Sequence, residues 1–157
     1  MKEKHLRPQT SGLRPKTTEV DKLEVKMSEY VFPFEKLDVW QMAVDLAEYV
    51  LDLLEAFPSN KHFRLVGQME GAVTSPSQNI AEGKGRQYKK EFIQFLHIAQ
   101  GSLYVVVTLN EVFRRKKLFK EEDAQNVRNR CVQIDRKLNG LINSLRGTRG
   151  RTFQKDS

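Results

Sequence analysis

The 157-residue sequence has one cysteine, Cys131, one tryptophan, Trp40, and three histidines. A lone thiol cannot close an intrachain disulfide, and it excludes any zinc site that needs two thiolates. His5, His62 and His97 are scattered, and no Glu-x-x-His pair occurs. The di-iron centre that helical bundles can carry therefore has no ligand set. No uninterrupted run approaches the roughly 18 apolar residues of a membrane span, so none is expected. The opening Met1-Lys2-Glu3-Lys4-His5-Leu6-Arg7-Pro8 leads into no apolar stretch and does not read as a secretory signal. These absences point to a soluble cytoplasmic protein with no metal, no cofactor and no membrane partner. No nucleophile-base pair or acid-base set emerges either, so an enzyme is not expected.

Charge is abundant. Lys and Arg number 27 against 20 Asp and Glu, a net charge of +7 with a pI near 9.6, and mean hydropathy is -0.58. Such a balance suits a polyanionic partner, although it reports on association rather than on fold. It is also unevenly spread. Residues 34–58 carry six carboxylates against Lys36, whereas residues 84–120 carry nine cations against Glu91 and Glu111. Residues 1–30 contain Pro8, Gly12 and Pro15 and almost no large apolar residue before Val20. They cannot bury enough surface to offset chain entropy and are expected to form a disordered tail. Residues 147–157 read as a basic flexible tail. The length between them, 31–146, suits one domain.

Within that domain the periodicity is helical. Over 35–57, Trp40, Ala43, Ala47, Leu51, Leu54 and Phe57 share a stripe, with Val39, Leu46 and Leu53 beside it and Asp38, Asp45, Glu48, Asp52 and Glu55 opposite. Pro58 ends this helix, and Ser59 or Asn60 can cap the next. Over 61–82, Leu65, Val66, Met69, Ala72, Val73, Pro76 and Ile80 lie on one side, with a bend expected at Pro76. Gly83 and Gly85 then supply a helix end and turn. Over 88–117, Phe92, Phe95, Leu96, Ala99, Leu103, Val106, Asn110 and Phe113 form one row, and Ile98, Val105 and Val112 form another. Apolarity around so much of the circumference implies burial on two faces, hence a contact between subunits besides the core. Gly101-Ser102 in mid-helix suggests a close approach of two helices. Over 121–146, Val127, Cys131, Ile134, Leu138, Leu141 and Leu145 make a seam, with Cys131 a packing thiol. Four helices with short connections predict an all-α, antiparallel up-down four-helix bundle.

Four strings carry more than periodicity. They are Phe34-Glu-Lys-Leu-Asp-Val-Trp-Gln-Met-Ala43, Ser75-Pro-Ser-Gln-Asn-Ile-Ala-Glu-Gly83, Phe92-Ile-Gln-Phe-Leu-His-Ile-Ala-Gln-Gly-Ser-Leu-Tyr104 and Leu138-Asn-Gly-Leu-Ile-Asn-Ser-Leu145. Together they resemble the small four-helix-bundle proteins encoded in intervening sequences of the bacterial 23S ribosomal RNA gene, over about residues 34–146. The accessory protein of diversity-generating retroelements looks like a relative. The resemblance implies a bundle assembled into a homo-oligomeric ring, a pentamer in relatives, with non-enzymatic nucleic-acid association and a reverse transcriptase as partner in the retroelement branch. This chain departs from the pattern at Glu70-Gly71, where the family usually has two arginines, at Ser75-Pro76-Ser77, and at Val105, where the family has a glutamate. Losing basic and acidic members together implies that an internal charge pair was exchanged for apolar packing.

The candidate nucleic-acid-binding residues are Lys84, Arg86, Lys89 and Lys90 at one end of the long helix, Arg114, Arg115, Lys116, Lys117 and Lys120 at the other, and Arg149 and Arg151 in the tail. Copied around a ring, each cluster becomes a belt that grips phosphates without base readout. Ser75, Asn79 and Glu82, with Arg86, share a helix face and read better as a structural polar seam than as a ligand site. Gly83-Lys84-Gly85-Arg86 lacks the strand and glycine spacing of a phosphate loop. His97 reads as an interface or surface residue. The function expected is a non-catalytic oligomer binding RNA or DNA, and the alternative is a protein-interaction scaffold whose charges serve solubility.

Overall fold

A computed structural model describes residues 12, 16–58 and 60–147. Among them every regular element is helical: α1 (Glu19–Ser28), a 3-10 turn (Pro33–Lys36), α2 (Asp38–Glu55), α3 (Phe63–Lys84), α4 (Lys89–Arg115) and α5 (Glu121–Arg146). The chain divides into two compact units, residues 1–31 and 32–157.

In the first unit, α1 corrects the expectation of an unstructured leader over its last third. Thr18 and Asp21 form a reciprocal capping box: the Asp21 amide donates to Thr18 Oγ1 at 3.1 Å and the Thr18 amide to Asp21 Oδ2 at 2.7 Å. Two of the free amides of the first turn are thereby satisfied. Glu19 at the start and Lys26 in the last turn suit the dipole. None of its residues is buried.

In the second unit, the four long helices pack in chain order, α2 on α3, α3 on α4 and α4 on α5, and α2 closes on α5. Polar links fix the directions. Ser75 meets Ser102, Gln100 meets Asp135 and Asn139, and Asn110 meets Ala124. Tyr49 meets Asp123 while Lys137 meets Asp38. Residue numbers rise on one helix as they fall on the other, so α4–α5 and α2–α5 are antiparallel pairs. The core is one apolar cluster running from Val39 through Leu46, Met69, Leu96 and Phe113 to Leu138.

Local chemistry explains the ends. Pro33 starts the 3-10 turn, and Phe34 stands 5.2 Å from Trp40, pinning the chain where α2 begins. The expected cap of α3 at Ser59 or Asn60 is not used. His62 holds that position at φ 58, and Ser59 lies outside the described residues. α3 runs on through a buried Pro76. At the end of α4, the Leu118 amide donates to the Phe113 carbonyl at 2.8 Å and the Lys117 amide to Arg114 at 3.0 Å, a Schellman closure with Lys117 at φ 57. The Phe113 and Phe119 rings pack beneath it at 4.6 Å with Phe57 alongside. The α2 stripe is rotated from expectation: Val39, Leu46 and Val50 are buried, whereas Trp40 and Leu51 are only half-buried.

Two glycine readings exchange places. Gly83 lies inside α3, not at its end, and a Cβ there would stand 2.5 Å from Phe95 Cβ and 3.0 Å from the Phe92 ring. Gly101, where a close approach was expected, faces open space. Although its longest unbroken apolar run, Leu103–Val107, is far too short for a span, α4 is long and apolar enough by length and composition to cross a membrane. That amends the expectation from run length. Its Leu96, Leu103, Val106 and Phe113 are buried in the protein, as in the core helix of a packed domain.

Gly83→Ala should destabilise the fold by about 1–2 kcal/mol, because the Phe95 Cβ cannot swing away and overpacking outweighs the gain in helix propensity. Gly67→Ala, on the same helix but with nothing within 4 Å of the new atom, should stabilise it by about 0.5–1 kcal/mol. Chemical denaturation of both variants checks the pair; equal effects would contradict the packing.

Candidate nucleic-acid interface

The first basic cluster sits at the α3–α4 corner. Lys84 ends α3, and its ammonium lies 5.7 Å from the centre of the Phe92 ring. Arg86 lies over Phe95 at 4.7 Å and pairs with Glu82 at 2.6 Å. Lys89 and Lys90 open α4, both exposed. Cations in a first helical turn oppose the dipole, and Tyr88 supplies no side-chain cap to the amides there. The local helix gains nothing from these two lysines.

The second cluster sits about 40 Å along α4 at ~1.5 Å per residue. Here the cations suit the C-terminal dipole, and two of them are already engaged. Glu111 accepts from Arg114 at 2.8 Å and from Arg115 at 2.8 Å, and Arg114 also reaches Glu121 at 3.3 Å. Lys116, Lys117 and Lys120 are exposed on the turn itself. Arg149 and Arg151 lie outside the described residues.

The two ends are therefore less positive than the sequence window suggests. That window, 84–120, stops one residue short of Glu121, Glu122 and Asp123 and leaves out Glu82. Folding returns these carboxylates to the clusters. What stays exposed and without an ion pair among the described residues is Lys84, Lys89 and Lys90 at one end, Lys84 lying against the Phe92 ring, and Lys116, Lys117 and Lys120 at the other.

The polar face of α3 divides in two. Ser75 Oγ lies 2.7 Å from Ser102 Oγ, and Asn79 Nδ2 donates to the Ser75 carbonyl and hydroxyl at 2.9 and 3.0 Å. This is an α3–α4 link, and it explains Ser102. Glu82 and Arg86 form a surface pair apart from it. The proposed internal charge exchange is not found: Glu70, Gly71 and Val105 are all exposed on this chain, so none is apolar packing within it. His97 is at the surface, accepting from Arg146 at 3.0 Å. Cys131 is buried, and burial pushes its thiol up to about 12, so it is unreactive.

Sequence reasoning missed the α4–α5 polar network. Gln100 Nε2 donates to Asp135 Oδ1 at 3.0 Å and Asn139 Oδ1 at 2.7 Å, and Tyr104 donates to the same Asp135 oxygen at 3.0 Å. That hydrogen bond raises the Tyr104 phenol above its ordinary range. The signal was present: Gln100 falls on the buried arc, between Leu96 and Leu103. A cleft of about 750 Å³ opens between the last turns of α4 and the first of α5, walled by Val107, Thr108, Glu111, Arg114 and Arg128. Among the described residues no cluster of His, Cys, Asp or Glu could hold a metal ion.

Hydrogen bonds from Arg114 and then Arg115 bring the Glu111 carboxyl from 4.5 down to about 2. A carboxyl that ionises more readily when folded stabilises the fold above pH 4.5 and loses that contribution as pH falls towards 2. Glu111→Gln should therefore melt below the parent at neutral pH, and the gap should close on acidification to about pH 2. Thermal melts at both pH values check this; a gap that persists in acid would refute it.

The sequence profile for 23S rRNA-intervening sequence proteins matches residues 35–140. A solved structure of a protein of unknown function from the S23 ribosomal protein family of Bacteroides thetaiotaomicron VPI-5482 superposes with a TM-score of 0.62 at 24% identity. The likeness covers 66% of this chain and 97% of that one. No curated protein matches. The matched segment takes in all of α2, α3 and α4 and most of α5, so the chain belongs to the 23S rRNA-intervening sequence protein family.

Proposed function

We propose that this protein is a non-catalytic, self-associating four-helix bundle of the cytoplasm that holds RNA or DNA through phosphate charge. The observation that carries the reading is the pair of exposed lysine groups, Lys89 with Lys90 and Lys116 with Lys117 and Lys120, at opposite ends of one rigid helix. Lys89 and Lys90 weigh most, because the helix they open is disfavoured by them and an anion would reverse that cost. The family's name supports RNA as the polymer. Arg114 contributes less than its position suggests, since two carboxylates already hold it.

Closed packing of α2 to α5 around one core supports the up-and-down bundle. Self-association is supported by the outer side of α4, where Ile98, Val105 and Val112 are exposed in a row with Gly101 and Thr108 between them. A single chain leaves that face wet, and a second copy would cover it. The narrower forms, a five-membered ring and a reverse transcriptase as protein partner, rest on the family resemblance alone.

Replacing Lys89, Lys90, Lys116, Lys117 and Lys120 with Gln should weaken binding to all sequences alike. For each phosphate that the altered chain no longer neutralises, the slope of log affinity against log salt should shrink by about 0.7 on single strands and about 0.9 on duplex DNA. Titrations of fluorescent RNA and DNA across salt measure it; an unchanged slope would remove the proposal. Separately, Ile98→Lys with Val105→Lys should lower the assembly mass read by light scattering while leaving the helical content of the chain intact. An unaltered mass would show that copies do not meet through α4.

A further inference from the structure

Polar bridges cross from α4 to α5 along the outer surface of the bundle. His97 accepts from Arg146 at 3.0 Å, Tyr104 donates to Asp135 at 3.0 Å, and Arg114 reaches Glu121 at 3.3 Å. They mark out one groove between the two helices. Two hollows open along it, about 240 Å³ beside Tyr104 and about 750 Å³ beyond, and they share Val107 and Arg128, so they are continuous. Lys90 lies two helical turns before His97 on the same face of α4, and Lys116, Lys117 and Lys120 stand at the corner where the groove ends. At ~1.5 Å per residue, Tyr104 is about 20 Å along α4 from Lys90 and from Lys116, so it sits midway between the two lysine groups.

Two properties coincide in this groove. The first is uncommitted positive charge. Arg128 and Arg136 line the smaller hollow and Arg146 lies further along α5; all three are exposed and none has an ion pair among the described residues. Asp135 is the carboxylate between them, and Glu111 and Glu121 nearby already hold Arg114 and Arg115. The second is an accessible aromatic ring. Tyr104 is 53% exposed, yet its phenol is tied to Asp135. A ring anchored at its tip has already lost rotamer freedom, so stacking on it costs little further entropy.

We propose that the α4–α5 groove carries a single strand of RNA between the two lysine groups, with an unpaired base stacked on Tyr104 and the phosphates on Arg128, Arg136 and Arg146. A basic groove with an aromatic platform tracks a backbone and takes any base, because every base has a stacking face. This rests on the phosphate reading above and deepens it: lysines alone grip any polyanion, whereas the ring needs a base that is free of a duplex stack.

The test uses the full chain and fluorescent RNA of about 12 nucleotides, within the 4–16 that single-strand sites take. Tyr104→Leu should weaken single-strand binding about tenfold, while Tyr104→Phe, which keeps the ring and loses the phenol bond, should stay within about twofold of the parent. Neither should alter binding to duplex RNA of the same length. Arg128→Gln with Arg136→Gln and Arg146→Gln should shrink the single-strand salt slope by about 0.7 for each phosphate no longer neutralised. Equal loss on single strand and duplex, a Phe variant as weak as the Leu variant, or an unchanged slope overturns the proposal. The unaltered chain supplies a measurement independent of folding in the variants. Strands carrying thiouridine at one position at a time are photocrosslinked; middle positions should attach at Tyr104, and attachment confined to the lysine ends overturns the groove path. Where the five-lysine replacement shrinks the slope and the three-arginine replacement does not, the phosphate reading stands and the groove path falls; a parent chain that binds no RNA removes both.

Discussion

Burying α4 between α3 and α5 is the constraint on which the rest of this architecture depends. The buried arc of α4 is not purely apolar: Gln100 and Asn110 are 8% and 4% exposed. A buried amide without a partner costs more than the bond it replaces, so α5 must present acceptors at the right heights. Asp135, Asn139 and the Ala124 carbonyl do so. Apolar rows alone tolerate sliding by a helical turn, because each row repeats. Two amides ten residues apart on α4, meeting acceptors about eleven apart on α5, leave a single register. Ser75 and Ser102 act in the same way between α3 and α4. The polar groups thus select among packings that hydrophobic burial alone would leave nearly equivalent.

Helix existence and extent were legible because the apolar spacing is regular. The span 121–146 coincides with α5, where acidic residues open the helix, Arg146 closes it and Gly147 follows at φ 71. Boundaries fixed by geometry rather than composition were less legible. Gly83 and Gly85 look alike in sequence; only packing reveals that Gly83 continues α3 because Phe95 leaves no room for a side chain, while Gly85 ends it. The row on α5 continues to Ile142, with Leu141 and Leu145 only half-buried, because a 3.6-residue repeat drifts from a strict alternation of three and four. The α1 helix was missed for a different reason. Composition judged the leader as a block, whereas Thr18-Glu-Val-Asp21 is a local capping signal that needs no core.

The candidate interface was legible as a list of cations and illegible as a field. Charge counted along a window ignores what folding brings alongside it. Arg114 and Arg115 look in sequence like the strongest part of the second cluster, yet Glu111 lies one helical turn before them and Glu121 across the corner. Spacings of three and four would have exposed the Glu111 pairs. The Glu121 contact requires knowing that the chain reverses at Lys117. Lys89 and Lys90 are the converse case, unremarkable in a list but placed where the helix dipole repels them.

One helix thus serves an inside and an outside, and the two demands differ in kind. Inward, α4 uses large residues and two amides whose N–H groups donate to α5, which specify a single arrangement, although the buried Asn110 Oδ1 accepts from no described group. Outward, Gly101, Val105 and Thr108 are small or β-branched and carry no charge. A face evolved only for solvent gains from charge, which keeps copies apart. Mid-helix glycine there also costs about 1 kcal/mol relative to alanine, with no packing return inside the chain. Within the single chain nothing offsets that expense. The same holds for Gly67 and Gly71 on α3 and for Gly140 on α5, each exposed with an open Cβ direction. At these four helical positions nothing in the single chain packs against an added Cβ, so each glycine costs helix propensity without a packing return there.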